Sequence, residues 1–129
     1  MKKKNSNISH IRELVDKFYA EIRKDELLAP IFNEIIQDNW DKHLEKMYAF
    51  WQTILLKEHT YYGSPFLPHA KLPISKKHFD RWLKLFQETL ERNFEGEAAE
   101  EALWRARKMA EMFQLKIDFH QKKNSKPLL

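Results

Sequence analysis

The chain has 129 residues, of which 43% are hydrophobic, and its formal net charge is +4. A chain of this length and apolar content forms one domain and buries roughly 68% of the surface of its unfolded state, which excludes intrinsic disorder. Because the sequence has no cysteine, it has no disulfide, no thiolate metal site and no C-x-x-C-H cofactor attachment.

The positive charge is concentrated at the two ends of the chain. Without the six terminal lysines, 17 basic residues remain against 19 acidic ones. We therefore expect residues 1–8 and 121–129 to be flexible, solubilising tails of a single domain covering residues 1–129, with no nucleic-acid partner. No run approaches the roughly 20 apolar residues of a membrane span. We expect no signal peptide and no membrane partner, and a cytoplasmic protein that is a monomer or a weak oligomer.

Apolar residues recur with the period of a helix along most of the chain, and no convincing strand pattern occurs. Pro30 suits a first helical turn, Asn39 or Asp41 and Ser75 suit N-caps, and Gly96 closes a helix. These signals predict an all-α fold of five or six helices. The predicted stripes are Ile11, Leu14, Val15, Phe18, Tyr19 and Ile22; Ile31, Phe32, Ile35 and Ile36; Leu44, Met47, Tyr48, Trp51, Ile54 and Leu55; Phe79, Trp82, Leu83, Phe86, Leu90 and Phe94; and Ala102, Ala106, Met109, Ala110, Phe113 and Ile117.

A long irregular segment, residues 57–74, interrupts the helical pattern. It contains SPFLPHAKLP at residues 64–73, which carries three of the five prolines and places His69 between Pro68 and Pro73. Loops of this length without structure of their own are uncommon in compact domains and usually serve a function. His69 is therefore the first candidate for chemistry.

Several kinds of site lack their signature in this sequence. Zinc needs three or four ligands at short spacing, di-iron bundles need paired Glu-x-x-His motifs, and the common hydrolase elbow is G-x-S-x-G. Haem needs one imidazole beneath a flat apolar slot lined with rings, which this aromatic-rich chain can supply. An ordinary aromatic core without a cofactor explains the same residues.

The order and spacing of six motifs resemble the truncated haemoglobins. The motifs are F-Y at 18–19, P-I-F at 30–32, W-x-x-H-L-x-x-M-x-x-F-W at 40–51, Y-x-G-x-P at 61–65, H-x-x-L-P at 69–73 and H-F-x-x-W-L-x-L-F at 78–86. The resemblance extends from about residue 9 to residue 120. The paired glycines of groups I and II are absent, so the sequence is most similar to group III.

This resemblance implies a globin-like, two-over-two helical sandwich that holds one haem b without a covalent bond. It implies that His69 is the proximal iron ligand and that Tyr19, His43 and Trp82 line the distal side. Further haem contacts implied by it, or expected beside the same pocket, are those of Phe18, Phe32, Met47, Phe50 and His78.

Hydrogen-bond donors on the distal side favour reversible binding of O2, CO and NO, with O2 preferred because it is the more polar ligand. This predicts an O2-binding or O2-carrying protein. A haem enzyme with peroxidase-like or NO-detoxifying activity, supplied by an external reductase, is the alternative. His43 could also bind the iron itself. The remote alternative is a cofactor-free helical interaction module.

Overall fold

A computed structural model of the protein describes residues 8–56 and 74–125, with side chains for residues 10–55 and 74–119. Within these ranges the chain forms five helices and no β-strand, which confirms the all-α prediction. The helices are α1 (Ile8–Ile22), α2 (Ala29–Ile36), α3 (Trp40–Leu56), α4 (Lys76–Asn93) and α5 (Glu97–Ser125). Residues 121–125, predicted as tail, continue α5, whereas most of the proline-rich segment, including His69, lies outside the described residues.

The helix ends follow the predicted capping signals. Pro30 lies in the first turn of α2, and α3 begins directly after Asn39. At the start of α4 the backbone N–H of Ser75 donates to Nδ1 of His78 at 2.9 Å, as part of a capping box. Gly96 joins α4 to α5 with φ of 97°, a left-handed conformation that side chains with a Cβ resist.

Four of the five helices pack as two pairs. α1 packs against α3, α4 packs against α5, and contacts between α1 and α4 join the pairs. This is the predicted two-over-two arrangement. All six residues of the predicted α1 stripe are buried. In the short helix α2 only Ile36 is buried, and Ile35 of the predicted stripe is 53% exposed. Among the described residues no helix is long and apolar enough to cross a membrane.

Gly96→Ala should destabilise the fold by about 1–2 kcal/mol, because alanine pays a steric penalty at a positive φ. Urea unfolding of both proteins measures the difference. Glu95→Ala, a change at the exposed neighbouring position, is the control and should leave the unfolding midpoint nearly unchanged. Equal midpoints for Gly96→Ala and the parent protein would contradict the proposed role of Gly96.

Candidate functional site

Phe18 connects α1 to α4 through ring contacts. Its ring lies 5.3 Å from Trp82 and 5.1 Å from Phe86, in edge-to-face geometry in both cases. Trp82 and Phe86 are stacked on each other, with centroids 5.5 Å apart and planes 6° apart. The indole of Trp82 is therefore held between two rings, and its orientation is restricted.

Tyr19, the next residue of α1, connects this helix to α2 and α3. Its ring centroid lies 5.1 Å from that of His43, with the two planes at 85°. Phe32 and Trp40 each lie 6.1 Å from Tyr19, also edge to face. One continuous set of ring contacts thus joins Trp82 through Phe18 and Tyr19 to His43.

The hydroxyl of Tyr19 is the unusual polar group of this cluster. Tyr19 is only 6% exposed. Burial raises the pKa of Tyr19, so the phenol keeps its proton at physiological pH. A protonated phenol can donate a hydrogen bond, which gives the cluster a polar group within apolar surroundings.

Comparison with known proteins identifies the family. The model for bacterial-like globins matches residues 7–118. Over 118 residues the sequence is 38% identical to the group 3 truncated hemoglobin ctb of Campylobacter jejuni subsp. jejuni serotype O:2, covering 88% of this chain and 93% of that protein. The chain belongs to the group III truncated haemoglobins. The crystal structure of a group III truncated hemoglobin from Campylobacter jejuni matches this haemoglobin with a TM-score of 0.84 and 37% identity, covering 91% of this chain and 95% of the other.

Membership of the globins implies that the protein binds haem, and the ring cluster fits such a group. Phe18, Phe32 and Trp82 provide flat aromatic surface, and the hydroxyl of Tyr19 provides a polar atom in an otherwise apolar setting. Nε2 of His43 is likewise shielded from solvent. These features suit a flat, largely apolar ligand that presents one polar point.

A groove between two of the described helices has a different character. It measures about 480 Å³, lies open to solvent between α4 and α5, and is lined mainly by charged and polar side chains. An apolar macrocycle would gain little burial there. The groove is lined by Asp80, Leu83, Lys84, Gln87, Glu88, Glu91 and Arg107.

Two other predicted haem contacts lie beside the cluster. Phe50 is buried edge to face with Trp51 at 5.4 Å, and Trp51 stacks on Phe86 at 5.1 Å. Met47 is half-buried and packs against the same core. Both residues belong to the hydrophobic core around the ring cluster. Their contact with haem stays a prediction.

His78 has a structural role that the sequence did not reveal. Its Nδ1 accepts the hydrogen bond from the backbone of Ser75 and so caps α4. Burial and the neighbouring charge of Lys77 lower the pKa of His78 despite that bond, which keeps the imidazole neutral and able to accept. A contact between His78 and haem would therefore involve the other atoms of the imidazole, and it stays a prediction. His69, the predicted iron ligand, lies outside the described residues.

A buried ion pair beside the cluster was missed from the sequence. Asp25, in the turn after α1, is 7% exposed. Its Oδ2 accepts the backbone N–H groups of Leu27 and Leu28 at 3.1 and 3.0 Å, and its Oδ1 accepts Nε of Arg81 at 2.6 Å. Arg81 directly precedes Trp82, so this pair connects the turn to the part of α4 that carries Trp82.

The pair makes the stability of the fold depend on pH. Burial acts to raise the pKa of Asp25, but the hydrogen bond and charge of Arg81 and the two backbone N–H groups outweigh burial and lower it. A carboxyl whose pKa is lowered on folding stabilises the native state above its unfolded pKa, near 3.9, and loses that contribution as pH falls through the folded value.

Asp25→Asn should destabilise the protein by about 3 kcal/mol at pH 7, the lower end of the cost of breaking a buried pair, because Arg81 remains within reach of water. The difference from the parent protein should begin to shrink as pH falls below about 4, where Asp25 becomes protonated in the unfolded state, and should be smallest below the lowered folded pKa, where Asp25 is protonated in both states. Urea unfolding between pH 3 and pH 7 measures this dependence.

Asp80→Asn is the matched control, since Asp80 pairs with Lys76 at 2.7 Å but both side chains are largely exposed. Exposed pairs contribute about 0–1 kcal/mol, so the control should show a small effect. An Asp25→Asn effect no larger than that of Asp80→Asn would contradict the role given to the buried pair.

Proposed function

We propose that this truncated haemoglobin binds O2 reversibly and releases it slowly, with Tyr19, His43 and Trp82 forming the distal side of a haem b pocket and His69 holding the iron. The observation that supports this most strongly is the single set of ring contacts that brings Tyr19, His43 and Trp82 together. When bound, haem supplies a ferrous iron with one open position for a diatomic gas.

Tyr19 is the principal donor in this proposal. Because burial raises its pKa, the phenol stays protonated and donates its O–H rather than repelling a partly negative oxygen. A hydrogen bond to a charged acceptor contributes about 1.5–3 kcal/mol, and each 1.4 kcal/mol is about tenfold in a rate or an equilibrium. One well-placed hydroxyl therefore suffices to slow the escape of O2 by at least tenfold.

Trp82 and His43 add to the preference for O2 over CO in different ways. The indole N–H of Trp82 can only donate, and the contacts of its ring with Phe18 and Phe86 limit the directions in which it points. His43 can donate or accept, according to its tautomer. CO carries less charge on its outer atom than O2, so donors favour O2 over CO.

The proximal side of the proposal rests on the sequence of the segment that holds His69. Pro68 and Pro73 restrict the unfolded chain around this residue. Such a restriction lowers the conformational entropy that is lost when the imidazole is fixed in one position.

Tyr19→Phe should raise the O2 dissociation rate by about tenfold or more, because it removes the O–H and keeps the ring. The CO dissociation rate should change much less. Stopped-flow displacement of O2 by CO, and of CO by NO, measures both rates. Tyr48→Phe is the control: it removes a hydroxyl that donates to Asp16 near the surface. Equal O2 release from Tyr19→Phe and the parent protein would rule out the proposed donor.

His69→Gly should remove the proximal ligand, so the purified protein should lose its haem or bind it with altered ligation, and added imidazole should restore the parent absorbance spectrum. His59→Gly, a histidine in the same segment, should retain that spectrum. Unchanged axial ligation in His69→Gly would refute the proximal assignment. A parent protein that takes up no haem would favour the cofactor-free alternative.

A further inference from the structure

Trp40 contacts both polar residues on the α1–α3 side of the cluster. Its ring lies 6.1 Å from Tyr19 and 5.9 Å from His43, with the planes of Trp40 and His43 at 89°. Since His43 also meets Tyr19 at 85°, the imidazole lies between two rings that are both perpendicular to it. Trp40 itself is buried, with 8% exposed.

Arg23, which directly follows the last residue of α1, packs over the ring of Trp40. Its guanidinium carbon lies 4.5 Å from the centre of the Trp40 ring, within the range of a cation–π contact. The backbone N–H of Arg23 donates to the carbonyl of Tyr19 at 2.9 Å, so Arg23 extends the last turn of α1. The exposed side chain of Arg23, at the end of α1, thus contacts Trp40 of α3 and restricts its movement.

We infer that Trp40 is a positioning residue that keeps the imidazole of His43 turned toward Tyr19, and that it thereby sets the rate at which a diatomic gas enters the distal side. The inference rests on the proposed function, because it takes His43 to be a distal residue. Trp40 acts through His43 and is given no contact with the gas or the haem.

Helix geometry explains why Trp40 can control His43. Side chains on a helix lean toward its N-terminus, so the imidazole of His43 lies over the preceding turn. Trp40 is three residues earlier on the same face and fills that space. An outward rotation of His43 must break its contacts with both Tyr19 and Trp40, and Arg23 keeps the indole from moving aside.

Trp40→Leu should raise the rate of CO recombination from solvent by about tenfold, which corresponds to about 1.4 kcal/mol. Flash photolysis of the CO-bound haem protein measures this rate. Trp40→Phe keeps an aromatic edge against His43 and should stay near the parent rate. Arg23→Gln leaves Trp40 in place without its cation and should give a smaller rise of about two- to fivefold.

A double-mutant cycle separates positioning from ordinary core packing. In a His43→Ala background, Trp40→Leu should have no further effect on the recombination rate, because the residue through which Trp40 is inferred to act has been removed. The infrared C–O stretching band, which reports the polarity around bound CO, should move in Trp40→Leu toward its position in His43→Ala. An equal rate effect of Trp40→Leu with and without His43 would overturn the inference.

The outcomes distinguish this inference from the proposed function. If Tyr19→Phe speeds O2 release while Trp40→Leu and Arg23→Gln leave recombination unchanged, the role of Trp40 is wrong and the proposed function stands. If Tyr19→Phe leaves O2 release unchanged, the proposed function itself fails. Should Trp40→Leu not fold, Arg23→Gln in the two His43 backgrounds decides the question by the same cycle.

Discussion

The distal side depends on one constraint, the adjacency of two buried rings on α1. Successive residues of an α-helix project about 100° apart. Phe18 and Tyr19 therefore face different neighbours: Phe18 meets α4 through Trp82, whereas Tyr19 meets α3 through His43. Because a single buried helix supplies both contacts, any shift of α1 in the core would move the proposed donors on α3 and α4 together.

The ion pair between Asp25 and Arg81 explains how α4 is held in position beside the end of α1. Both oxygens of the Asp25 carboxylate accept hydrogen bonds, one from Arg81 and the other from the turn after α1. Apolar contacts tolerate sliding, but a buried carboxylate separated from its donors is costly. The pair therefore specifies the position of the first turns of α4, and with it the position of Trp82.

The helices could be predicted from the sequence because they follow from local patterns, whereas the residues of the ring cluster were brought together only by resemblance to a family. The 3.6-residue period located all five helices, and similarity to a family assigned Tyr19, His43 and Trp82 to one side. The partners of Asp25 and of Trp40 could not be predicted in the same way. Asp25 and Arg81 are 56 residues apart, and the period of a helix identifies a buried face without specifying which residue of another helix meets it. The contacts of Trp40 with both Tyr19 and His43 are likewise not specified by any local pattern.

The hydroxyl of Tyr19 separates the requirements of folding from those of binding. Burying a hydroxyl costs about 1–3 kcal/mol unless a hydrogen bond offsets it, and a phenylalanine would fill the same space without that cost. Phe18, Phe32, His43 and Trp40 already supply the apolar contacts around it. Nothing in the packing of the described residues therefore requires the oxygen atom. In the proposed function a polar gas accepts its hydrogen bond, and that bond offsets the cost of burying the hydroxyl.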